Sequence, residues 1–157
     1  MKFSKAVLVG TVILGIGAGR ADAQLRDTKL ITLDGAKNIL AAAEAEAKKN
    51  NWNLAIAVVD AAGGLIAFHK MDGAGPSNVD FAIGKARTAA RYRRETRLID
   101  SSLTAGRVQF LATDALPIEG GIPIKIGDIT IGAVAASGAT SAQDAQAVKA
   151  GISALVQ

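Results

Sequence analysis

Lys70, Met71, Asp72 and Gly73 follow one another at the end of a predicted strand, directly before a predicted helix that carries Lys85 and Arg87. Backbone amides at such a strand–glycine–helix junction bind anionic groups, and arginine pairs with carboxylates through two parallel hydrogen bonds. The pattern therefore predicts an anion-binding site whose candidate residues here are Met71, Asp72, Gly73, Lys85 and Arg87.

A second junction of the same kind occurs near the end of the chain. SNVDFAIGKA (77–86) and SAQDAQAVKA (141–150) share Ser, Asp, Lys and Ala at identical offsets, and each follows a predicted hairpin and a Gly-Ala pair. One interpretation is two capping boxes, in which the serine caps its helix and the aspartate bonds to exposed amides. The other is that the two glycine junctions lie close together and bind one ligand, which adds Ser137 and Gly138 as candidates.

Two more candidate site residues, Thr88 and His69, are indicated by their positions in the predicted elements. Thr88 lies three residues after Lys85, so both side chains share one face of the helix. His69 is the only histidine, and imidazole ligates heme iron, although an ordinary strand histidine is the default interpretation. In a regular strand, His69 shares its face with Leu65 and Met71.

Composition excludes several classes of site. None of the 157 residues is cysteine, so thiol nucleophiles and thiolate metal ligands are absent. With one histidine and no close carboxylate cluster, no metal site is predicted. A Ser-His-Asp hydrolase is not supported, because no G-x-S-x-G motif presents a serine, and no catalytic residue is assigned. An aromatic content of 4% and a small positive charge argue against nucleic-acid binding.

Residues 1–23 have the pattern of a secretory signal peptide. Lys2 and Lys5 precede an apolar run over 6–18, and Ala21-Asp22-Ala23 supplies the small residues of a cleavage site. The alternative is a membrane anchor, but the run is shorter than the roughly 20 residues that span a bilayer. Cleavage would lower the formal charge from +4 to +2. We expect a periplasmic or secreted domain, residues 24–157, without stable membrane insertion.

Apolar periodicity and turn residues predict the elements. The fold class expected is α+β: a single domain whose antiparallel sheet is built from two hairpins and flanked by helices. The predicted elements are a helix over 33–49 with Thr32 as N-cap, strands over 54–60 and 65–71, a helix from Ser77 to about Arg94, a helical stretch over about 102–111, a hairpin over 122–137 turning on Gly127-Asp128, and a helix from Ser141.

Three segments carry a resemblance to a known family: AIAVVDAAGGLIAFHKMDGA (55–74), GKARTAA (84–90) and GGIPIKIGDITIGAVAASGATSAQDAQAVKAG (120–151). With them, the chain resembles the GlcG/HbpS-like heme-binding family, related to the C-terminal domain of PduO-type proteins. The resemblance implies an α+β domain that forms dimers or larger homo-oligomers and binds heme, with iron or heme-degrading activity among relatives. The family motif, a basic residue before Met-Asp-Gly-Ala, corresponds to 70–74. His69 precedes it, which counts against His69 as the iron ligand.

Two functions of different classes follow. The favoured hypothesis is an exported homo-oligomeric binding protein for heme or a similar anionic cofactor or small molecule. The alternative is an enzyme that acts on a small carboxylated metabolite, with Lys85 and the glycine loops as its anion site. A structural oligomerisation module is the third interpretation, and the sequence leaves open whether any turnover occurs.

Overall fold

The computed structural model of the protein describes residues 28–155, so the expected signal peptide lies outside the described residues. The helices and strands are, in chain order, α1 (Leu33–Lys49), β1 (Ala55–Asp60), β2 (Leu65–Lys70), α2 (Pro76–Tyr92), α3 (Thr96–Thr104), a 3₁₀ helix (Val108–Ala112), β3 (Gly121–Ile126), β4 (Ile129–Ser137) and α4 (Ser141–Ser153). None of the helices between residues 28 and 155 combines the length and the apolar character that a membrane crossing requires.

The four strands form one antiparallel sheet in the order β2-β1-β4-β3. Each hairpin contributes one central strand, so β1 and β4 pair with each other and are the most buried strands. The second hairpin turns on Gly127 and Asp128 as predicted, and Gly127 has a φ of 58°, which glycine adopts without strain. The predicted α+β class, with two hairpins flanked by helices, is confirmed.

Large aliphatic side chains fill the space between the sheet and the helices α1 and α4. Ile39 of α1 and Val148 of α4 are buried in one cluster with Ile56 of β1. The Thr32 side chain caps α1 as predicted, because it accepts a hydrogen bond from the Gly35 amide at 3.1 Å. These contacts fix α1 and α4 on one face of the sheet.

Alanines fill the opposite face, where α2 packs on the sheet. Their short side chains allow the helix backbone to approach the strands closely. Val79 and Ile83, which periodicity predicts to be buried, are only half-buried. The alanines of this cluster are Ala82, Ala86, Ala89 and Ala90 of α2 and Ala55, Ala57, Ala133 and Ala135 of the sheet.

The predicted boundaries of α2 are wrong at both ends. The helix begins at Pro76 rather than Ser77, with Gly75 as N-cap, because proline is favoured in the first helical position. It ends before Arg93, whose φ of 54° is left-handed, and therefore does not reach Arg94.

The single helical stretch predicted over 102–111 is also wrong. The structure has α3 over Thr96–Thr104 and a separate 3₁₀ helix over Val108–Ala112. Gly106, with a φ of 90°, lies between them and interrupts the helical conformation.

The predicted capping boxes do not form at the expected residues. At α2, neither Ser77 nor Asp80 caps the helix, because the N-cap is a glycine with no side-chain hydrogen bond. At α4, Thr140 and Gln143 form the capping box, one residue earlier than predicted. Asp144 is not part of this box, although one of its oxygens accepts the Ala139 amide before the helix, which agrees with the predicted role of the aspartate.

Candidate functional site

The two glycine junctions lie at the same end of the sheet, on either side of the residues that precede β1. Ala55 pairs with Lys70 of β2 and with the last residue of β4. A Cβ atom at Gly73 would lie 2.9 Å from Asn53 Nδ2, and one at Gly138 would lie 2.2 Å from the Asn53 carbonyl oxygen. Both junctions therefore need glycine, because the backbone and side chain of Asn53 occupy the space between them.

A cavity of about 510 Å³ opens beside β2, and we call it the edge pocket because β2 is an edge strand. Its volume falls within the range of small-molecule sites. Of the predicted site residues, it includes His69, Met71 and Asp72. The full lining is Glu44, Lys48, Asn53, Phe68, His69, Lys70, Met71 and Asp72.

Glu44 of α1 is the partner of His69 in the edge pocket. Its Oε2 atom lies 2.7 Å from His69 Nδ1, and its Oε1 atom lies 2.6 Å from Lys48 Nζ. The hydrogen bonds from Lys48 and then from His69 lower the pKa of the Glu44 carboxyl. An ionised carboxylate only accepts hydrogen bonds, so Nδ1 of His69 carries a proton, and in the neutral ring Nε2 keeps its lone pair. Between residues 28 and 155, Nε2 has no hydrogen-bond partner.

The side chains of β2 do not alternate regularly between the two faces of the sheet, although regular alternation was predicted for the strand that carries His69. The pairing of β1 with β2 shifts register between Val58 and Val59, which places an irregularity at Ile66. Ile66 and Ala67 consequently both pack against the cluster of α1 and α4, although they are adjacent in sequence. Beyond this shift, His69 faces α1, which is why it meets Glu44.

A second cavity, of about 290 Å³, lies between the starts of α2 and α4, and we call it the α2–α4 pocket. It contains three of the predicted residues, Lys85, Ser137 and Gly138. Its full lining is Asn78, Phe81, Lys85, Ile118, Ser137, Gly138, Ala139, Ser141 and Asp144.

Lys85 forms a buried ion pair in the wall of the α2–α4 pocket. Its Nζ atom donates to Asp144 Oδ2 at 3.0 Å and to the Glu119 carbonyl oxygen at 3.1 Å. The other Asp144 oxygen accepts the Ala139 amide at 3.1 Å. Burial lowers the pKa of Lys85 and raises the pKa of Asp144, while the attraction between the two groups opposes each shift.

Arg87 and Thr88 lie apart from both pockets. Arg87 Nε donates to the Gly63 carbonyl oxygen at 3.3 Å, at the turn between β1 and β2 and thus at the far end of the sheet. Thr88 Oγ1 donates to the Gly84 carbonyl oxygen and accepts the Leu116 amide at 2.8 Å. The structure gives both residues internal partners. The predicted site residues are therefore divided between the two pockets, this pair, and Gly73, which lies beside Asn53 and lines neither pocket.

Sequence reasoning missed Glu44, Lys48 and Asp144 as site residues. Glu44 is 25 positions from His69, and Asp144 is 59 positions from Lys85. Local spacing does not reveal such pairs, although the shared Asp in the two repeated segments marked Asp144. Among the residues that the structure describes, no group of three or more His, Cys, Asp or Glu side chains is arranged to hold a metal ion.

Comparison with known proteins gives consistent matches. A family model described as haem degrading protein HbpS-like matches residues 31–153. Protein GlcG of Escherichia coli strain K12 is 43% identical over 103 residues, which cover 65% of this chain and 77% of GlcG. The crystal structure of Klebsiella pneumoniae protein ORFY superposes with a TM-score of 0.80 and 28% identity, covering 85% of this chain and 95% of that one. The crystal structure of HbpS superposes with a TM-score of 0.78 and 26% identity, covering 83% of this chain and 94% of HbpS.

The buried ion pair is expected to behave as a unit in unfolding experiments. Lys85→Met and Asp144→Asn should each lower the free energy of unfolding by about 3–5 kcal/mol, because each leaves a buried partner without its counter-charge. The Lys85→Met/Asp144→Asn double variant should lose less than the sum of the two. Urea unfolding of the four proteins measures these differences.

Arg97→Met is the matched control, since Arg97 Nε lies 3.7 Å from Glu95 Oε2 and the two side chains are 52% and 37% exposed. Loss of this surface pair should change stability by about 1 kcal/mol or less. If Lys85→Met and Asp144→Asn are no more destabilising than Arg97→Met, the ion pair does not hold the fold together.

Proposed function

Because the chain belongs to the HbpS-like family, whose description is haem degrading protein, we propose that it binds heme in the edge pocket with His69 as the iron ligand. The observation that carries the choice of site is the hydrogen bond between His69 Nδ1 and Glu44. Histidines that ligate metals usually donate their second N–H to a carboxylate or carbonyl, which fixes the ring and makes the ligating nitrogen more basic. Glu44 supplies that support here.

The other residues of the edge pocket suit the remaining parts of a heme. Lys48 and Lys70 supply cations for its two propionate groups. Met71, half-buried on the α1 side of the sheet that His69 faces, offers apolar surface for the ring, and Phe68 lines the pocket from the side on which α2 packs. The edge pocket therefore provides an iron ligand, cations for the propionates and apolar surface for the ring of heme.

When bound, heme would supply redox-active iron, whose properties depend on the ligating side chain and on the hydrogen bonds made to that side chain. The chain's own contribution is to hold and orient the imidazole. His69 is 44% exposed at its side chain and Glu44 is 24% exposed, so the ring is accessible while its carboxylate support is more protected. In this proposal, the support that Glu44 gives the ring outweighs the argument from motif position, which counts against His69.

The alternative, an enzyme that uses Lys85 as a base, is less well supported. Lys85 is 1% exposed, and two of its three N–H groups already have acceptors within the protein. A general base must reach the proton that it removes. Lys85 is already paired with Asp144, which disfavours it as a base, and the family description gives no preference for a carboxylated metabolite.

We also propose that the domain is exported after cleavage at residue 23 and that it assembles into homo-oligomers. The signal-like pattern over 1–23 supports export. Exposed apolar side chains support self-association, since such patches are usually covered in an assembly. Three of them, Leu98, Val108 and Leu111, lie on α3 and on the 3₁₀ helix that it contacts.

Hemin titration followed by Soret absorbance tests the proposed heme site. The protein should give a saturable shift, and His69→Gly should bind more weakly and lose the shift, because no imidazole reaches the iron. Added imidazole should restore the spectrum of His69→Gly by replacing the missing ring. Glu44→Gln should weaken binding by about 10–100-fold, as observed when ligand-supporting groups are removed.

Lys70→Ala and Lys125→Ala form a matched pair of lysine variants, since Lys125 is exposed on β3, away from the edge pocket. Lys70→Ala should weaken binding by about threefold, the scale of a solvent-exposed ion pair, and Lys125→Ala should not. An identical Soret spectrum and affinity in His69→Gly would overturn the assignment of His69, and the absence of any saturable shift would overturn heme binding itself.

Native mass spectrometry of protein recovered from the periplasm of a Gram-negative host tests export and assembly together. We expect a subunit that begins at Gln24 and a native mass that is a multiple of the subunit mass. Recovery of the uncleaved chain from the cytoplasm would contradict export. A native mass equal to one subunit at every concentration would contradict self-assembly.

A further inference from the structure

The α2–α4 pocket is a separate cavity that heme binding does not use. It shares no lining residue with the edge pocket, although both lie at the same end of the sheet. Its volume of about 290 Å³ is near the lower limit of ligand pockets, so it suits a small molecule. The polar groups of the pocket indicate the chemical class of that molecule.

Ser137 is a largely buried residue of this pocket, and its hydroxyl has no partner in the described part of the chain. The residue is 7% exposed and lines the cavity, and its side chain makes no hydrogen bond with any residue in the range 28–155. In the part of the chain that the structure describes, Thr130 Oγ1 is the only fully enclosed side-chain oxygen or nitrogen without a partner, so Ser137 Oγ is not fully enclosed. Because Ser137 lines the cavity, its hydroxyl leaves a position beside Oγ for a ligand atom.

Lys85 and the start of α4 add further donors around the same space. An ammonium group has three N–H donors, and Lys85 uses two of them for Asp144 and Glu119. Ser141, the first residue of α4, contributes a hydroxyl at the positive end of a 13-residue helix. Lys85, Ser137 and Ser141 can each donate, and both oxygens of Asp144 already accept hydrogen bonds within the protein, so the pocket suits a ligand group that accepts hydrogen bonds.

The charges of the pocket favour a monoanion. Lys85 is already paired with Asp144, so the two formal charges cancel and the helix end leaves only a partial positive charge. A dianionic phosphate would meet the nearby Asp144 carboxylate with too little compensation. The remaining wall is apolar, because Phe81 and Ile118 face the cavity.

We propose that the α2–α4 pocket binds a short-chain organic monocarboxylate. The carboxylate accepts hydrogen bonds from Ser137, Ser141 and the third N–H of Lys85, and the hydrocarbon chain packs against Phe81 and Ile118. The site is independent of the proposed heme site, since none of these residues lines the edge pocket.

Titration of the isotope-labelled protein with sodium butyrate, followed by ¹H–¹⁵N NMR, tests this proposal. Butyrate should cause saturable shifts in the amide signals of Ser137, Gly138 and Ser141. Butyramide, which has the same size but no charge, should not. Ser137→Ala should weaken butyrate binding by about tenfold, the scale of one hydrogen bond to a charged group.

Ser77→Ala is the matched control, because Ser77 is exposed near the start of α2 and does not line this pocket. It should bind butyrate as the unmodified protein does, and so should His69→Gly, which separates this site from the heme site. The proposal is overturned if butyrate causes no saturable shift, if Ser137→Ala binds it unchanged, or if only inorganic phosphate saturates the pocket.

Discussion

The ion pair between Lys85 and Asp144 links parts of the chain that lie on opposite faces of the sheet. Lys85 belongs to α2 and Asp144 to α4, and the Glu119 carbonyl ties the segment before β3 to the same ammonium group. Because an unpaired charge in this position is costly, the three segments keep one relative arrangement. Gly120 fits this constraint, since a Cβ atom there would lie 2.5 Å from Lys85 Nζ. The end of the sheet that carries both pockets is thereby fixed.

The two pockets at this end differ in chemistry. The edge pocket is polar and contains an imidazole whose carboxylate partner comes from another element, an arrangement that prepares a nitrogen for metal ligation. The α2–α4 pocket is smaller and rich in hydrogen-bond donors, and its charged pair is already neutralised internally. Asn53 lies between the two glycine junctions, which brings the pockets close together without merging them.

Local signals in the sequence were sufficient for much of the fold. The Gly127-Asp128 turn, the Thr32 cap and the two hairpins depend on neighbouring residues, and all were predicted. The sequence did not predict that the candidate site is divided between two pockets, because this division depends on which helix faces which strand. Arg87 was expected beside the glycine loops but lies at the far end of β1, and the irregularity in β2 decides that His69 faces α1. Tertiary packing sets both outcomes.

Pulsed electron paramagnetic resonance of the ferric heme complex, made from tag-free protein labelled with ¹⁵N only at histidine, tests the assignment of the iron ligand most directly. His69 is the only histidine in the chain, so any labelled nitrogen coupled to the iron belongs to it. We predict a ¹⁵N hyperfine coupling characteristic of a directly bound imidazole. A complex that holds hemin but shows no such coupling would contradict ligation by His69.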